Sequence, residues 1–393
     1  MSLLIDNVRL WDGTGSPTRA RMSVEVRDGR VFWVGPAADW HGNKASVRVV
    51  DGSARTLIPG LMDCHVHYSS PGGPDWIARF TDPLPEISIR AVELAETSLR
   101  SGITTARDVG APHAVNIRLA RAARAGEIRA PFIHPAGTWI AHRGTYVPFA
   151  RLFADSSELR EAIREEIEAG ASLIKVALSG WNEGMRPKDA PDIPFDAKLL
   201  SLAVQEAHRA GYRIACHAND RESCHIAAGS GVDSIEHGMF LERQDIEAMV
   251  RNKTYLVPTM SVWDAMLYFA SVVDWPESRR TRAESLREGS RKSVQIASQA
   301  GVPIALGTDA GGGAARHGRI AREAELMVEC GMSVQDVLLA ATSKAAGLIG
   351  ETERGTIKAG KIADLVLLDA DPTENIAALR LVASVYQVGK RAV

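Results

Sequence analysis

From about residue 57 to about residue 350 the chain repeats one unit, an apolar run of roughly five to seven residues followed by a helical segment rich in Ala, Glu, Arg and Leu. The apolar runs end near His67, Asp108, Trp139, Ser179, His217, His237, Met260 and Asp309. Helices are expected over 91–100, 115–126, 158–170, 197–211 and 279–301, several of them closed by a glycine on the C-terminal side. About eight strand–helix units of this size imply an α/β fold, a TIM-like (β/α)8 barrel of the usual ~250 residues. A doubly wound open sheet uses the same units, but no G-x-G-x-x-G follows a strand to favour it.

The flanks have another texture. Up to about residue 56, Val-rich runs alternate with the hairpin-type dipeptides Asp12-Gly13, Asp28-Gly29 and Asp51-Gly52. A similar turn-and-strand pattern returns only over 355–369, so the two ends are expected to build one small composite β-sandwich. The expected division is 1–56, barrel 57–351, and 352–393. With 393 residues, 45% of them apolar, the chain can bury a large core. A net charge of −2 without a long basic stretch argues against nucleic acid as a partner. No segment approaches the ~18 uninterrupted apolar residues of a membrane span, and no signal-peptide pattern opens the chain. A soluble, cytoplasmic protein is expected, with Cys64, Cys216, Cys224 and Cys330 reduced.

In a barrel of this kind chemistry belongs where strands end at the C-terminal face, and the unusual residues fall there. The stretch from Thr56 to Tyr68, T-L-I-P-G-L-M-D-C-H-V-H-Y, places His65 and His67 on one face of a strand, where two imidazoles can reach one ion. Lys175 lies inside the apolar run S-L-I-K-V-A-L-S, although an unpaired buried ammonium is costly. His217 ends I-A-C-H, His237 ends S-I-E-H, and Asp309 ends I-A-L-G-T-D. Taken singly, these are satisfied strand-end histidines, a snorkelling lysine and a turn aspartate. Those explanations would have to hold independently on five strands, whereas one binuclear metal centre accounts for all six residues.

These motifs resemble the amidohydrolase superfamily, in particular its imidazolonepropionase-like and prolidase-like branch. The resemblance covers essentially the whole chain: P-G-L-M-D-C-H-V-H at strand 1, G-I-T-T-A-R-D at strand 2, I-K-V at strand 4, S-I-E-H-G at strand 6 and G-T-D-A-G at strand 8. It implies that His65, His67 and Asp309 bind one divalent metal, His217 and His237 a second, and that Lys175 bridges them as an Nζ-carboxylate. Zinc is the expected metal. A lysine takes up carbon dioxide only as the free amine, and burial favours that form. The resemblance further implies a metal-activated hydroxide attacking a carbonyl carbon, Asp309 acting as proton acceptor and donor, and a homo-oligomer.

The chain departs from its relatives around the substrate. Asn219 stands where peptidase-like members commonly carry His or Tyr, and the strand-4 ending is Ser179-Gly180-Trp181. The loop Ala141-His142-Arg143-Gly144 is similar to the G-H-G of relatives, which makes His142 a candidate for polarising the substrate. Aromatic residues follow the strands: Trp76, Phe80, Trp139, Tyr146, Phe149, Phe153, Trp181, Trp263, Tyr268, Phe269 and Trp275. They fit either a pocket for a flat ligand or a subunit interface. Tyr146, Trp181 and Asn219 are the candidate substrate-binding residues. The expected activity is hydrolysis of a C–N bond in an amide, carbamate or urea of a small aryl-containing molecule. The alternatives are an Xaa-Lys/Arg-type dipeptidase, a deaminase, or a non-catalytic scaffold. Deaminases of the superfamily place Glu three residues after the strand-5 histidine, where this chain has Asp220.

Overall fold

The computed structural model describes residues 2–143, 149–180, 195–272 and 275–393. Strands β1 (Ser2–Leu10), β2 (Arg19–Arg27), β3 (Arg30–Pro36), β4 (Arg48–Asp51) and β5 (Thr56–Pro59) share one sheet. Asp28-Gly29 forms the two-residue turn from β2 to β3 with φ of 48° and 80°, the left-handed pair that a tight hairpin requires. The chain then enters the barrel through β6 (Leu61–Val66), β7 (Ile103–Asp108), β8 (Phe132–Pro135), β9 (Ile140–His142) and β10 (Arg151–Phe153). It continues through β11 (Ile174–Ala177), β12 (Ile214–Ala218), β13 (Ser234–His237) and β14 (Tyr255–Val257), and all the pairings among β6 to β14 are parallel.

Strands β15 (Leu365–Leu368), β16 (Val382–Gln387) and β17 (Lys390–Arg391) return to the first sheet. There β15 lies antiparallel to β5, with Leu365 opposite Pro59 and Leu368 opposite Thr56. Ile5, Leu10, Val24, Leu57, Leu365 and Leu367 form part of its separate core. Both ends of the chain thus contribute to one sheet, as the turn-rich flanks suggested.

The helices are α1 (Trp76–Arg79), α2 (Leu84–Arg100), α3 (Val115–Ala125), α4 (Ser156–Ala169), α5 (Ala197–Arg209) and α6 (Arg221–Ser230). They continue with α7 (Arg243–Asn252), α8 (Met260–Val272), α9 (Glu277–Gln299), α10 (Ile320–Glu329), α11 (Val334–Ala340) and α12 (Ser343–Ile349). None among the described residues is long and apolar enough to cross a membrane. The two-residue period sorts each barrel strand. Ile174 and Val176 of β11, and Ile214, Cys216 and Ala218 of β12, join the core under the helices. Lys175 and His217 alternate with them and face the barrel interior.

Three strand ends differ from expectation. The third strand stops at Pro135 rather than near Trp139. The Ser172 N–H donates to the Pro135 carbonyl at 2.6 Å, and the short β9 then takes over the pairing with β11. The seventh stops at Val257, and Met260 instead opens α8, because the Glu323 carboxylate accepts from the Met260 and Ser261 N–H groups at 2.9 and 2.7 Å and holds a helix start there. The eighth run makes no regular strand. Its backbone closes the barrel by single bonds: Leu256 N–H to the Pro303 carbonyl at 3.0 Å, Cys64 N–H to Leu306 at 2.9 Å and Asp309 N–H to His65 at 2.7 Å.

Candidate metal centre and its cavity

The strand ends carry the site. His65, His67, Lys175, His217, His237 and Asp309 all line one cavity of about 460 Å³. One ligand atom from each of His65, His237 and Asp309 falls within 4.8 Å of the others. The His67 Nε2 lies 3.3 Å from the Asp309 Oδ1, and the His217 Nδ1 lies 2.7 Å from the His237 Nε2. Alternation alone would turn His237 outward, since Ile235 two positions before it belongs to the helix-facing core. A left-handed φ of 69° at His237 swings it off that side, and Asp309 also sits at a positive φ, 50°. Such costly backbone conformations cluster at functional sites. Gly312 is required beside Asp309, because a Cβ there would stand 2.2 Å from the Asp309 Oδ1.

The hydrogen bonds fix which histidine nitrogens can act as ligands. The His65 Nδ1 lies 2.6 Å from the Glu236 Oε2, and the His67 Nδ1 lies 2.8 Å from the Gly110 carbonyl. Each acceptor places the ring proton on Nδ1 and leaves an Nε2 lone pair aimed at Asp309. The two Nε2 atoms then stand 3.4 and 3.3 Å from the Asp309 Oδ1, an oxygen with no hydrogen-bond partner. Two lone pairs and a carboxylate oxygen converging without a proton are mutually repulsive unless a cation lies among them. Burial pushes His65, His217 and His237 well below their ordinary values, so these rings are neutral, as ligands must be.

Lys175 is 1% exposed and its Nζ has no hydrogen-bond partner. Burial pushes its ammonium down to about 8. The donor set and these orphaned atoms fit divalent cations, with Lys175 available as the amine that a carboxylation would consume.

Behind the ligands lies a layer that the sequence reading did not single out. Arg107 is buried and donates from Nε to the Cys64 carbonyl at 2.6 Å, from Nη1 to the Ser234 Oγ at 2.9 Å and from Nη2 to the Glu236 Oε1 at 2.7 Å. Glu236 thereby ties the guanidinium to the His65 ring. On the other side, Asp63 accepts from the Thr308 N–H and hydroxyl at 3.0 and 2.6 Å, fixing the segment that carries Asp309. The available signal was a charge inside each of two strand runs, Arg107 in T-T-A-R-D on β7 and Glu236 in S-I-E-H on β13.

The substrate-side expectations divide. Asn219 lines the cavity, with its N–H bonded to the Ser179 Oγ at 3.1 Å. Tyr146 and Trp181 lie outside the described residues. His142 is placed elsewhere. In β9, Ile140 faces the same core as Val176 while Ala141 pairs with Ala177, so alternation sends His142 to the helix side. There its ring meets Phe153 edge-on at 5.3 Å, and it is absent from the described lining of the cavity. Of the aromatic residues, Trp76, Trp139, Trp263 and Trp275 line the cavity. Phe80 and Phe149 pack against Trp139 with centroids at 5.4 and 4.5 Å, Phe153 packs on Phe195, and Tyr268 is exposed.

Comparison with known proteins gives a concordant picture. The model of the amidohydrolase family matches residues 56–391. Ochratoxinase of Aspergillus niger is 28% identical over 417 residues, covering 97% of this chain and 84% of that protein. Imidazolonepropionase of Acidiphilium cryptum is 26% identical, covering 91% of this chain and 89% of its own. The crystal structure of a Xaa-Pro dipeptidase with bound methionine in the active site superposes with a TM-score of 0.89 at 28% identity, covering 100% of this chain and 99% of the other.

Proposed function

Because this chain belongs to the amidohydrolase family and is a hydrolase of carbon–nitrogen bonds, we propose that it cleaves an amide, carbamate or urea linkage in a small aryl-containing molecule. The observation that carries this reading is the convergence of two Nε2 lone pairs on an unpartnered Asp309 oxygen beside an unpartnered Lys175 amine. His65, His67 and Asp309 would hold one divalent cation, zinc or similar, and His217 and His237 a second, with Lys175 as an Nζ-carboxylate between them. Such a pair supplies Lewis acidity at the substrate carbonyl and makes water acidic enough to ionise near neutral pH. Asp309, held at its backbone by the His65 carbonyl, takes up the proton that water loses and returns it to the departing nitrogen. Trp139, Val262 and Trp263 give the cavity apolar walls that suit a ring and exclude water.

A second reading is a dipeptidase for Lys- or Arg-ended substrates; the likeness to a Xaa-Pro dipeptidase supports dipeptide cleavage but not a basic side chain. A cationic side chain needs an acidic subsite. Away from Asp309 the described lining offers one carboxylate, Asp75, against the cations Arg279 and Arg282. The test is kcat/KM for matched aryl and Lys/Arg substrates on one preparation with two metal ions per chain. Burial of a ring supports a roughly thirtyfold or greater advantage for the aryl series. Faster cleavage of the basic dipeptides would return the protein to the second reading.

A further inference from the structure

Helix α8 reaches the cavity with one side only. Val262, Trp263 and Met266 line it, whereas Tyr268 and Val272 of the same helix are exposed. Most of α8 is apolar, and apolar packing is non-directional, so packing alone does not fix how far the helix is rotated about its axis or slid along it. Helix α10 supplies directional bonds from two adjacent residues. The fully buried Glu323 carboxylate accepts from the Met260 N–H through Oε1 and from the Ser261 N–H through Oε2. Arg322 donates to both Asp264 oxygens, from Nε at 2.9 Å and from Nη2 at 3.1 Å, the two-pronged geometry that resists rotation. The first contact sets where α8 begins, and the second, about one turn on, sets which way it faces. Asp264 lies two residues after Val262, about 200° round the helix, so α10 grips the side opposite the one that Val262 and Met266 show to the cavity. A buried carboxylate is costly unless bonded, and the N–H groups at the positive end of α8 offset that cost. Asp264, Arg322 and Glu323 are all absent from the described lining of the cavity.

We propose that Glu323 and Arg322 are positioning residues for the substrate: without touching it, they place Val262, Trp263 and Met266 and so decide whether a ring fits against the α8 wall. The proposal rests on the preceding reading of that wall as the seat of an aryl group. It adds a control of specificity located outside the cavity.

The test is binding rather than turnover, so the two readings fail separately. Two probes are titrated calorimetrically into metal-loaded protein: 1-naphthaleneacetamide, a neutral ring ligand for the wall, and acetohydroxamate, a small metal ligand for the floor. Glu323→Gln sets an NH2 group against a backbone N–H and should weaken the ring probe roughly tenfold while acetohydroxamate stays within about twofold. Asp264→Asn, at a partly exposed ion pair, should weaken the ring probe about threefold, and Glu323→Asp, which keeps the charge with a shorter reach, should fall between wild type and Glu323→Gln. If Glu323→Gln does not fold, Asp264→Asn decides on the same criterion. Lost stability with both affinities unchanged overturns the proposal and leaves Glu323 a helix cap. So does an equal loss for both probes, which would place the effect at the floor, since the Thr259 hydroxyl meets His237 and the Ser261 hydroxyl donates to the Thr308 carbonyl. Failure of the ring probe to bind the unaltered protein would overturn the aryl reading and the proposal with it, whereas absence of hydrolysis with the affinity ratios as expected would overturn the reaction reading alone.

Discussion

At the floor of the cavity the side chains stand at strand ends and are braced from behind, His65 by Glu236, His67 by the Gly110 carbonyl and His237 by the Thr259 hydroxyl at 2.7 Å. Along α8 and α9 the wall is built differently. Arg279 is stacked on Trp275, and the Trp263 Nε1 has no hydrogen-bond partner. The difference separates two tasks. A hydrogen-bonded constellation on strands holds reacting groups to a fraction of an ångström, whereas packed helix faces can exchange side chains and retune what fits. Changes at the floor should therefore abolish the reaction, and changes in the wall should redirect it.

The sharpest break is Lys175→Ala. With the proposed bridge removed, activity should fall by roughly a thousandfold or more, and metal content should drop with it. Added acetate or propionate should restore part of the rate if the bridge is a carboxylate. Near-normal turnover by the variant would show that Lys175 is a buried structural amine, and the floor would lose its distinction from the wall.

Glu236→Gln probes the layer behind the floor. The substitution keeps the shape but leaves the Arg107 guanidinium without its carboxylate and weakens the brace on His65. Losing such a partner typically costs 10–100-fold in metal affinity, so the variant should need correspondingly more zinc for half-maximal activity while KM at saturating metal changes little. An unchanged metal requirement would reduce Glu236 to a counter-ion for Arg107.

How much of this was legible from the chain alone follows the same division. His65, His67, Lys175, His217, His237 and Asp309 stood out because each is a polar exception within or at the end of an apolar run, and the strand period then forced most of them inward. Arg107 and Glu236 were each visible as a charge within a strand run, but their pairing was not legible, because an ion pair between separate strands leaves no local pattern. The side to which His142 turns was not legible, because a loop motif does not report the parity of a three-residue strand. Met260 misled because apolar residues resume just past Pro258-Thr259, and what starts the helix is Glu323, more than sixty residues away. In the wall, aromatic content could be counted, but which rings reach the cavity depends on helix rotation, and Trp263 and Tyr268 on the same helix face opposite ways: one lines the cavity and the other is exposed.

The smallest expected effect on turnover belongs to His317, behind the loop that follows Asp309. Its Nε2 lies 3.0 Å from the Ser70 carbonyl, its Nδ1 has no hydrogen-bond partner, and its ring stacks on Tyr68 with centroids 5.2 Å apart. Burial pushes its ionisation down from the ordinary 6.5 to about 4. Between those values the unfolded chain binds a proton that the folded one does not, so the folded state loses stability as pH falls through the window. The loss from pH 7 to pH 5 should be about 2 kcal/mol. His317→Gln can still donate to Ser70 and does not titrate, so its denaturant midpoint should fall less over the same interval, while turnover at pH 7 should stay within about threefold because the neutral ring and the amide make the same bond. His134, also held near 4 by burial, contributes equally to both proteins and cancels in the comparison. Parallel stability curves for the two proteins would mean that His317 is solvated enough to protonate in place, and the support beneath the Asp309 loop would then be as insensitive to acid as the arginines of the wall.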